Sequence, residues 1–160
     1  MTERRRRILL TDDDEDSLHI YRTILEHGGF EVIEARTGVE AVERARALLP
    51  DLILMDAALP LMDGWRATRV LKGAADTRHI LVIALTAHVL GADRAHARQA
   101  GCDGFLAKPA SPRTVLAEVC RFLERAPAPP ACAARTLPRP ELEAGKPAGQ
   151  QECVRVGIQP

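Results

Sequence analysis

Acidic and polar side chains follow four separate apolar runs of this sequence, and their types suit phosphoryl or metal chemistry. The first run ends in Thr11-Asp12-Asp13-Asp14, and a later one ends in Met55-Asp56. Two further runs lead into Thr86 and into Lys108. Carboxylates that share a small site repel one another, so a cluster of three favours a bound cation. Oxygen-only ligands favour Mg²⁺, with Mn²⁺ as an alternative, because hard cations of this kind need few protein carboxylates.

A carboxylate close to a lysine and a short hydroxyl can accept a phosphoryl group. Asp56 would be the nucleophile, and its product would be an aspartyl phosphate. Lys108 would supply a compact positive charge, and Thr86 a hydroxyl donor, for the oxygens of the transferred group. Such a transfer needs positioning and charge neutralisation more than further covalent work by the protein.

These side chains meet only if the apolar runs are strands of one sheet. Short apolar runs alternate with amphipathic stretches up to residue 126, which predicts five strand–helix units and a parallel sheet. Continuous rather than alternating apolar strands indicate a sheet that is covered on both faces. The carboxyl ends of parallel strands share one edge, so the polar groups are expected to converge there. The predicted strands are Ile8 to Thr11, Phe30 to Glu34, Asp51 to Asp56, Ile80 to Leu85 and Phe105 to Ala107.

Apolar residues recur at helical spacing between these strands, which predicts five helices. The first helix ends at Gly28-Gly29, and the third spans about Trp65 to Lys72. The second carries Val39 on its apolar face, and the fifth has Pro112 near its first turn. The fourth, from about Ala92 to Ala100, has few large apolar residues, so we expect it to be the most mobile helix.

The composition changes sharply near residue 126. Residues 127–160 hold seven of the eleven prolines and few large apolar side chains. Such a segment buries too little surface to offset the entropy of ordering it. We therefore expect one domain over residues 1–126 and a Pro/Ala-rich, disordered tail over residues 127–160.

Charge and hydropathy exclude several classes of protein. Basic and acidic residues both number 22, so no net field draws the chain to nucleic acid or to an acidic membrane. Every apolar run is far shorter than the ~20 residues of a membrane span, and no signal peptide is visible. A cytoplasmic protein that binds neither DNA nor membrane is expected. The four cysteines lack CxxC spacing, so we interpret all four as free thiols.

Four blocks of the sequence together resemble the receiver domains of two-component response regulators. The longest, Asp51-Leu-Ile-Leu-Met-Asp-Ala-Ala-Leu-Pro-Leu-Met-Asp-Gly64, is similar to the family's phosphoacceptor block. Leu10-Thr-Asp-Asp-Asp14, Ala84-Leu-Thr-Ala87 and Phe105-Leu-Ala-Lys-Pro109 are similar to its acidic, switch-threonine and lysine-proline blocks. The resemblance, to the stand-alone, chemotaxis-regulator-like type, implies a flavodoxin-like α/β fold. Its five-stranded parallel sheet would have the order 2-1-3-4-5, with five helices on both faces.

The resemblance also implies which residues bind the metal and accept the phosphoryl group. Asp56 would be the phosphorylated residue and a ligand of Mg²⁺. Asp13 would bind the metal directly, and Asp12 would act through water. The backbone carbonyl of Ala58, two residues beyond Asp56, would be a further ligand.

Other family positions imply a conformational switch. Thr86 would move to meet the phosphoryl group, Lys108 would pair with it, and Phe105 would turn inward on activation. The peptide bond between Lys108 and Pro109 is often cis in this family. Thr11 stands where the family usually has an aliphatic residue, and its hydroxyl can add a hydrogen bond.

The implied function is a signalling switch rather than an enzyme, apart from self-catalysed phosphorylation and autodephosphorylation. A sensor histidine kinase or a histidine phosphotransfer protein would supply the phosphoryl group. The altered surface of the fourth helix, fifth strand and fifth helix would bind a downstream protein, or phosphoryl would pass on in a phosphorelay. No DNA-binding or enzymatic pattern follows residue 126, so we expect output through protein contacts of a monomer or weak dimer. The resemblance also implies that the positions of His88 and Ala58 would tune how fast the phosphoryl group is lost.

Two other interpretations use some of the same residues. A phosphatase of the haloacid-dehalogenase type needs Asp-x-Asp-x-Thr/Val, and the segment from Asp12 to Asp16 fails at the last position. A pseudo-receiver would bind partners without phosphorylation, but the complete set of chemical residues argues against it. Asp14 to Asp16 have a plainer role, as the cap of the first helix.

Overall fold

Five strands alternate with five helices in the computed structural model, which describes residues 4–87 and 91–125. The predicted tail over residues 127–160 and His88 therefore lie outside the described residues. The strands are β1 (Arg7–Thr11), β2 (Glu31–Ala35), β3 (Leu52–Asp56), β4 (Leu81–Thr86) and β5 (Gly104–Ala107). The helices are α1 (Glu15–His27), α2 (Gly38–Leu48), α3 (Gly64–Gly73), α4 (Gly91–Ala100) and α5 (Pro112–Arg125). Each predicted strand bound lies within one residue of the observed one.

All neighbouring strands pair in parallel, in the order β2-β1-β3-β4-β5. The predicted α/β fold and the strand order 2-1-3-4-5 are therefore confirmed. In the ladders, Asp56 at the end of β3 lies opposite Leu85, and Thr86 at the end of β4 lies opposite Ala107. The residues that end β3, β4 and β5 thus share one edge of the sheet.

The sheet separates two hydrophobic cores. On one face, α1 and α5 pack against alternate strand residues such as Ile8 and Leu10. On the other face, α2 and α3 pack against Leu9 and the other strand residues that point to that face. Both sides of each inner strand are buried, which explains the continuous apolar runs in the sequence.

Helix α4 differs from the other four helices. None of its residues, all of which the structure describes, belongs to either core. Its buried residues are Ala97 and Ala100, and it packs against α3. Small side chains make few dispersion contacts, so we expect α4 to be held less firmly than its neighbours.

The helix ends follow local sequence signals. Asp14 caps α1 as predicted, because its carboxylate accepts hydrogen bonds from the amide and the hydroxyl of Ser17. These bonds lower the pKa of Asp14. Val39 does not lie on the buried face of α2 as predicted, and it is 38% exposed. Val42 and Ala45 lie on that face as predicted, together with Gly38 and Ala41.

The cysteines differ from the prediction at one position. Cys102 is a free thiol, and burial raises its pKa to about 11. Cys120 is disulfide-bonded, so the prediction of four free thiols is wrong there. That prediction used spacing and compartment, and neither shows which residues the fold brings together.

No helix within the described ranges has both the length and the apolar character that crossing a membrane requires.

Candidate functional site

The end of β3 is tied to β1 by the side chain of Thr11. The Thr11 hydroxyl donates to the carbonyl oxygen of Leu54 at 2.8 Å and accepts from the backbone amide of Asp56 at 3.0 Å. All three residues are buried. The expected extra hydrogen bond of Thr11 is therefore present, and it fixes the backbone from which the Asp56 side chain projects.

The chain beyond Asp56 turns tightly into α3. The amide of Ala57 donates to the carbonyl oxygen of Leu85 at 2.8 Å, which continues the β3–β4 pairing by one residue. The amide of Ala58 donates to Oδ1 of Asp56 at 3.0 Å. The amide of Gly64 then donates to the carbonyl oxygen of Ala57 at 3.1 Å, so the start of α3 lies directly against the Asp56 backbone.

Three carboxylates meet at this edge of the sheet. Asp12, Asp13 and Asp56 each offer one oxygen, and these oxygens lie within 4.8 Å of one another. Asp12 and Asp56 are buried, whereas Asp13 is exposed, so the cluster opens to solvent on one side. An all-oxygen set with solvent access fits Mg²⁺, which keeps several of its waters. Ala58 is exposed beside the cluster, and its role as a carbonyl ligand stays a prediction.

Lys108 is the cation that balances the two buried carboxylates. Its Nζ lies 2.7 Å from Oδ2 of Asp12 and 3.1 Å from Oδ2 of Asp56. Burial disfavours the charged lysine, but the hydrogen bonds and charges of Asp12 and Asp56 outweigh burial and raise the pKa of Lys108. The backbone also holds Lys108 in place, since its amide donates to the carbonyl oxygen of Thr86 at 2.7 Å. The Lys108–Pro109 peptide bond is cis, as the resemblance implied.

Burial also controls the ionisation of Asp56. It raises the pKa of this carboxyl, and the nearby charge of Asp12 acts in the same direction. The Ala58 amide and Lys108 oppose the increase, because each stabilises the carboxylate. Positive charge beside Asp56 therefore favours its ionised form, which is the form that a nucleophilic carboxylate would need.

The two predicted switch residues both contact the start of α4. Thr86 is 4% exposed, and its hydroxyl donates to Oδ2 of Asp93 at 3.3 Å. The guanidinium carbon of Arg94 lies 5.4 Å from the ring centroid of Phe105, which is half-buried. Sequence reasoning missed Asp93 and Arg94, since they lie outside the four blocks. The signal available was their position, because they lie in the first turn of the helix that follows Thr86.

Comparison with known proteins places these features in one family. A family model described as the response regulator receiver domain matches residues 8–120. The polar-differentiation response regulator DivK of Brucella ovis is 40% identical over 117 residues, which cover 73% of this chain and 89% of that protein.

Solved structures agree with this assignment. A receiver domain of a sensor histidine kinase from Pseudomonas aeruginosa PAO1, which has a magnesium ion coordinated in its active-site cleft, is 36% identical. It has a TM-score of 0.68, and the match covers 77% of this chain and 98% of that one. A CheY-like receiver domain protein from Methanospirillum hungatei JF-1 is 28% identical with a TM-score of 0.71, covering 76% of this chain and 95% of that one. With its strand order and its acidic edge, this chain belongs to the response regulator receiver family.

Proposed function

We propose that this chain is a single-domain response regulator in which Asp56 accepts a phosphoryl group in a Mg²⁺-dependent reaction. One observation carries the proposal: the buried Asp56 carboxylate lies 3.1 Å from Lys108 Nζ and next to two further carboxylates. This arrangement provides a nucleophile, a fixed cation and a metal-binding set in one place. Membership of the family does not alone require it, because a pseudo-receiver would have the same fold.

The phosphoryl donor in this proposal is a sensor histidine kinase or a histidine phosphotransfer protein. An oxygen of Asp56 attacks the phosphorus of a phosphohistidine, and the new O–P bond forms as the N–P bond breaks. The electron pair stays on the imidazole nitrogen, which takes up a proton. The Ala58 amide holds Oδ1 of Asp56 and Lys108 holds Oδ2, so the carboxylate is oriented before the donor arrives.

Asp12, Asp13 and Asp56 would hold Mg²⁺, with the Ala58 carbonyl as a proposed further ligand. When bound, the metal stabilises the negative charge that develops on the transferred group. Lys108 contributes in the same sense, because its flexible stem lets the ammonium reach a phosphoryl oxygen. The chain itself therefore supplies the nucleophile, its orientation and one neighbouring positive charge.

Phosphorylation of Asp56 would be read out through Thr86 and Phe105. The Thr86 hydroxyl moves to a phosphoryl oxygen, Phe105 turns inward, and the surface formed by α4, β5 and α5 changes. That surface then binds a downstream protein, or the phosphoryl group passes on in a relay. We propose that this occurs in the cytoplasm, in a monomer or weak dimer that does not contact DNA.

The test is incubation with acetyl phosphate and Mg²⁺, followed by intact mass measurement. Wild-type protein should gain one phosphoryl group, and the near-isosteric Asp56→Asn variant should gain none. Omission of Mg²⁺ and an Asp13→Asn variant should each slow the gain strongly, because both remove metal binding without touching the nucleophile. An equal gain in wild type and Asp56→Asn would place the phosphoryl group elsewhere. No gain from acetyl phosphate or from a histidine kinase would indicate a pseudo-receiver.

A further inference from the structure

We infer that the start of α4 restrains the unphosphorylated switch, with Asp93 holding the Thr86 hydroxyl and Arg94 holding the Phe105 ring. This inference rests on the proposed function, in which both residues move when Asp56 is phosphorylated. It assigns to Asp93 and Arg94 a positioning role that sets how readily the switch responds. Neither residue touches the reacting atoms.

Asp93 competes with the phosphoryl group for one proton. The Thr86 hydroxyl donates to Oδ2 of Asp93 at 3.3 Å, and a hydroxyl has a single proton to donate. Thr86 follows Leu85, which lies opposite Asp56 in the β3–β4 ladder, so the hydroxyl is at the same edge as the phosphoryl acceptor. Phosphorylation of Asp56 brings oxygens that need this proton. Thr86 must then leave Asp93 to reach them.

Arg94 acts on the second switch residue in the same way. Its guanidinium carbon lies 5.4 Å from the centroid of the Phe105 ring, within the range of a cation–π contact. Phe105 lies on β5, beside the strand that ends in Thr86. An inward turn of the ring separates it from Arg94. Two consecutive residues of one helix therefore hold both elements of the switch in their unphosphorylated positions.

The weak anchoring of α4 makes these two contacts effective. The residues of α4 contribute to neither hydrophobic core, and the helix buries only Ala97 and Ala100. Few apolar contacts oppose displacement of α4, so the polar contacts at its first turn contribute strongly to its position. Asp93 is half-buried, whereas its neighbours Ala92 and Arg94 are exposed, as expected if the carboxylate faces β4.

Binding of beryllofluoride with Mg²⁺ tests this inference, because the analogue has the shape and charge of a phosphoryl group. Trp65 is the single tryptophan, and its ring lies 6.2 Å from that of His96 in α4, so its fluorescence reports on this helix. Asp93→Ala should bind the analogue about fivefold more tightly than wild type, as expected for loss of one net hydrogen bond from the unbound state. Arg94→Gln should bind it about two- to threefold more tightly, since the contact to Phe105 is weaker.

Two control variants and one double mutant distinguish this positioning role from a general effect on α4. Asp76→Ala removes an exposed carboxylate outside α4, and Gln99→Ala changes an exposed residue of α4. Both should bind like wild type. In a Thr86→Val background the effect of Asp93→Ala should disappear, because the hydroxyl that Asp93 holds is absent. Asp93→Asn, which keeps an acceptor oxygen, should lie between wild type and Asp93→Ala.

The outcomes distinguish the two proposals. Wild-type protein that takes up neither beryllofluoride nor phosphoryl contradicts the proposed function itself. Normal wild-type binding with no change in Asp93→Ala overturns this inference alone. An effect of Asp93→Ala that persists without the Thr86 hydroxyl also overturns it, because loss of a favourable charge at the helix start would then explain the result.

Discussion

Replacement of Gly64 by alanine should displace the backbone of Asp56. Gly64 is buried, begins α3 and donates its amide to the carbonyl oxygen of Ala57. A Cβ at this position would lie 2.9 Å from the carbonyl carbon of Asp56 and 3.0 Å from the Cα of Ala57, and closer still to the Asp56 carbonyl oxygen. These are backbone atoms, so no side chain can rotate out of the way.

The size of the effect follows from these distances. Non-bonded carbon atoms settle at about 3.5–4.0 Å, so α3 and the Asp56 backbone must separate by at least about 0.5 Å. Overpacking of this kind costs about 1–3 kcal/mol of the free energy of unfolding. A reactive group displaced by about 1 Å can react about 100-fold more slowly. We expect Gly64→Ala to lose about 2 kcal/mol and to take up phosphoryl at least about tenfold more slowly.

Urea denaturation and the initial rate of phosphoryl uptake measure these two effects. Gly73→Ala is the matched control, because Gly73 ends the same helix and an added Cβ meets nothing within 4 Å. It should gain up to about 1 kcal/mol with unchanged uptake. Wild-type stability and uptake in Gly64→Ala would refute the reasoning. A loss of stability with normal uptake would show that α3 moves while Asp56 stays in place.

Three further predictions concern Thr11, Cys102 and helix α4. Thr11→Val should lower the free energy of unfolding by about 1–3 kcal/mol, because the Asp56 amide and the Leu54 carbonyl lose a buried partner. Folded Cys102 keeps its proton up to about pH 11, whereas an ordinary thiol releases it near pH 9.0. Its contribution to stability is thus complete below pH 9.0 and declines as pH rises towards 11. Between pH 9 and 10, the free energy of unfolding should therefore fall by up to about 1 kcal/mol less in Cys102→Ala than in wild type. Amide hydrogens of α4 should exchange at least about 100-fold faster than those of β3, which is buried throughout.

Each of these predictions has a result that would contradict it. Thr11→Ser keeps the hydroxyl and should retain most of the stability. Equal losses of unfolding free energy in the serine and valine variants would show that the Thr11 hydrogen bonds do not stabilise the fold. Identical alkaline slopes for wild type and Cys102→Ala in urea titrations would show that the thiol is not held protonated. Protection of α4 equal to that of β3 in an exchange experiment would mean that its anchoring is firm.

The strands and the acidic edge were predictable because each depends on short-range patterns. A strand buried on both faces must be a continuous apolar run, so runs such as Leu52 to Met55 mark their own ends. The residue that follows such a run lies at the carboxyl edge, so the sequence predicts that Asp12, Asp56 and Lys108 share one edge of the sheet.

Other features depend on contacts that spacing does not encode. The strand order followed from the family resemblance, because pairing of β1 between β2 and β3 depends on how whole faces pack. The exposure of Val39 depends on the rotation of α2, which its small residues settle. The hydrogen bond from Thr86 to Asp93 depends on where α4 runs relative to the edge of the sheet. The sequence places Asp93 in the first turn of the helix after Thr86, but it does not show that the two side chains meet.

The separation of α4 from both cores has a consequence for how such a domain can diversify. Substitutions at exposed positions away from core contacts usually change folding free energy little. The outward face of α4 can therefore accept new residues, and with them new binding preferences, while α1 and α5 remain committed to the core of the sheet. Substitutions on this face can change the binding partner while every variant along the way still folds. Under the proposed function, redirecting the output of this domain would begin with the exposed residues of α4 other than Arg94.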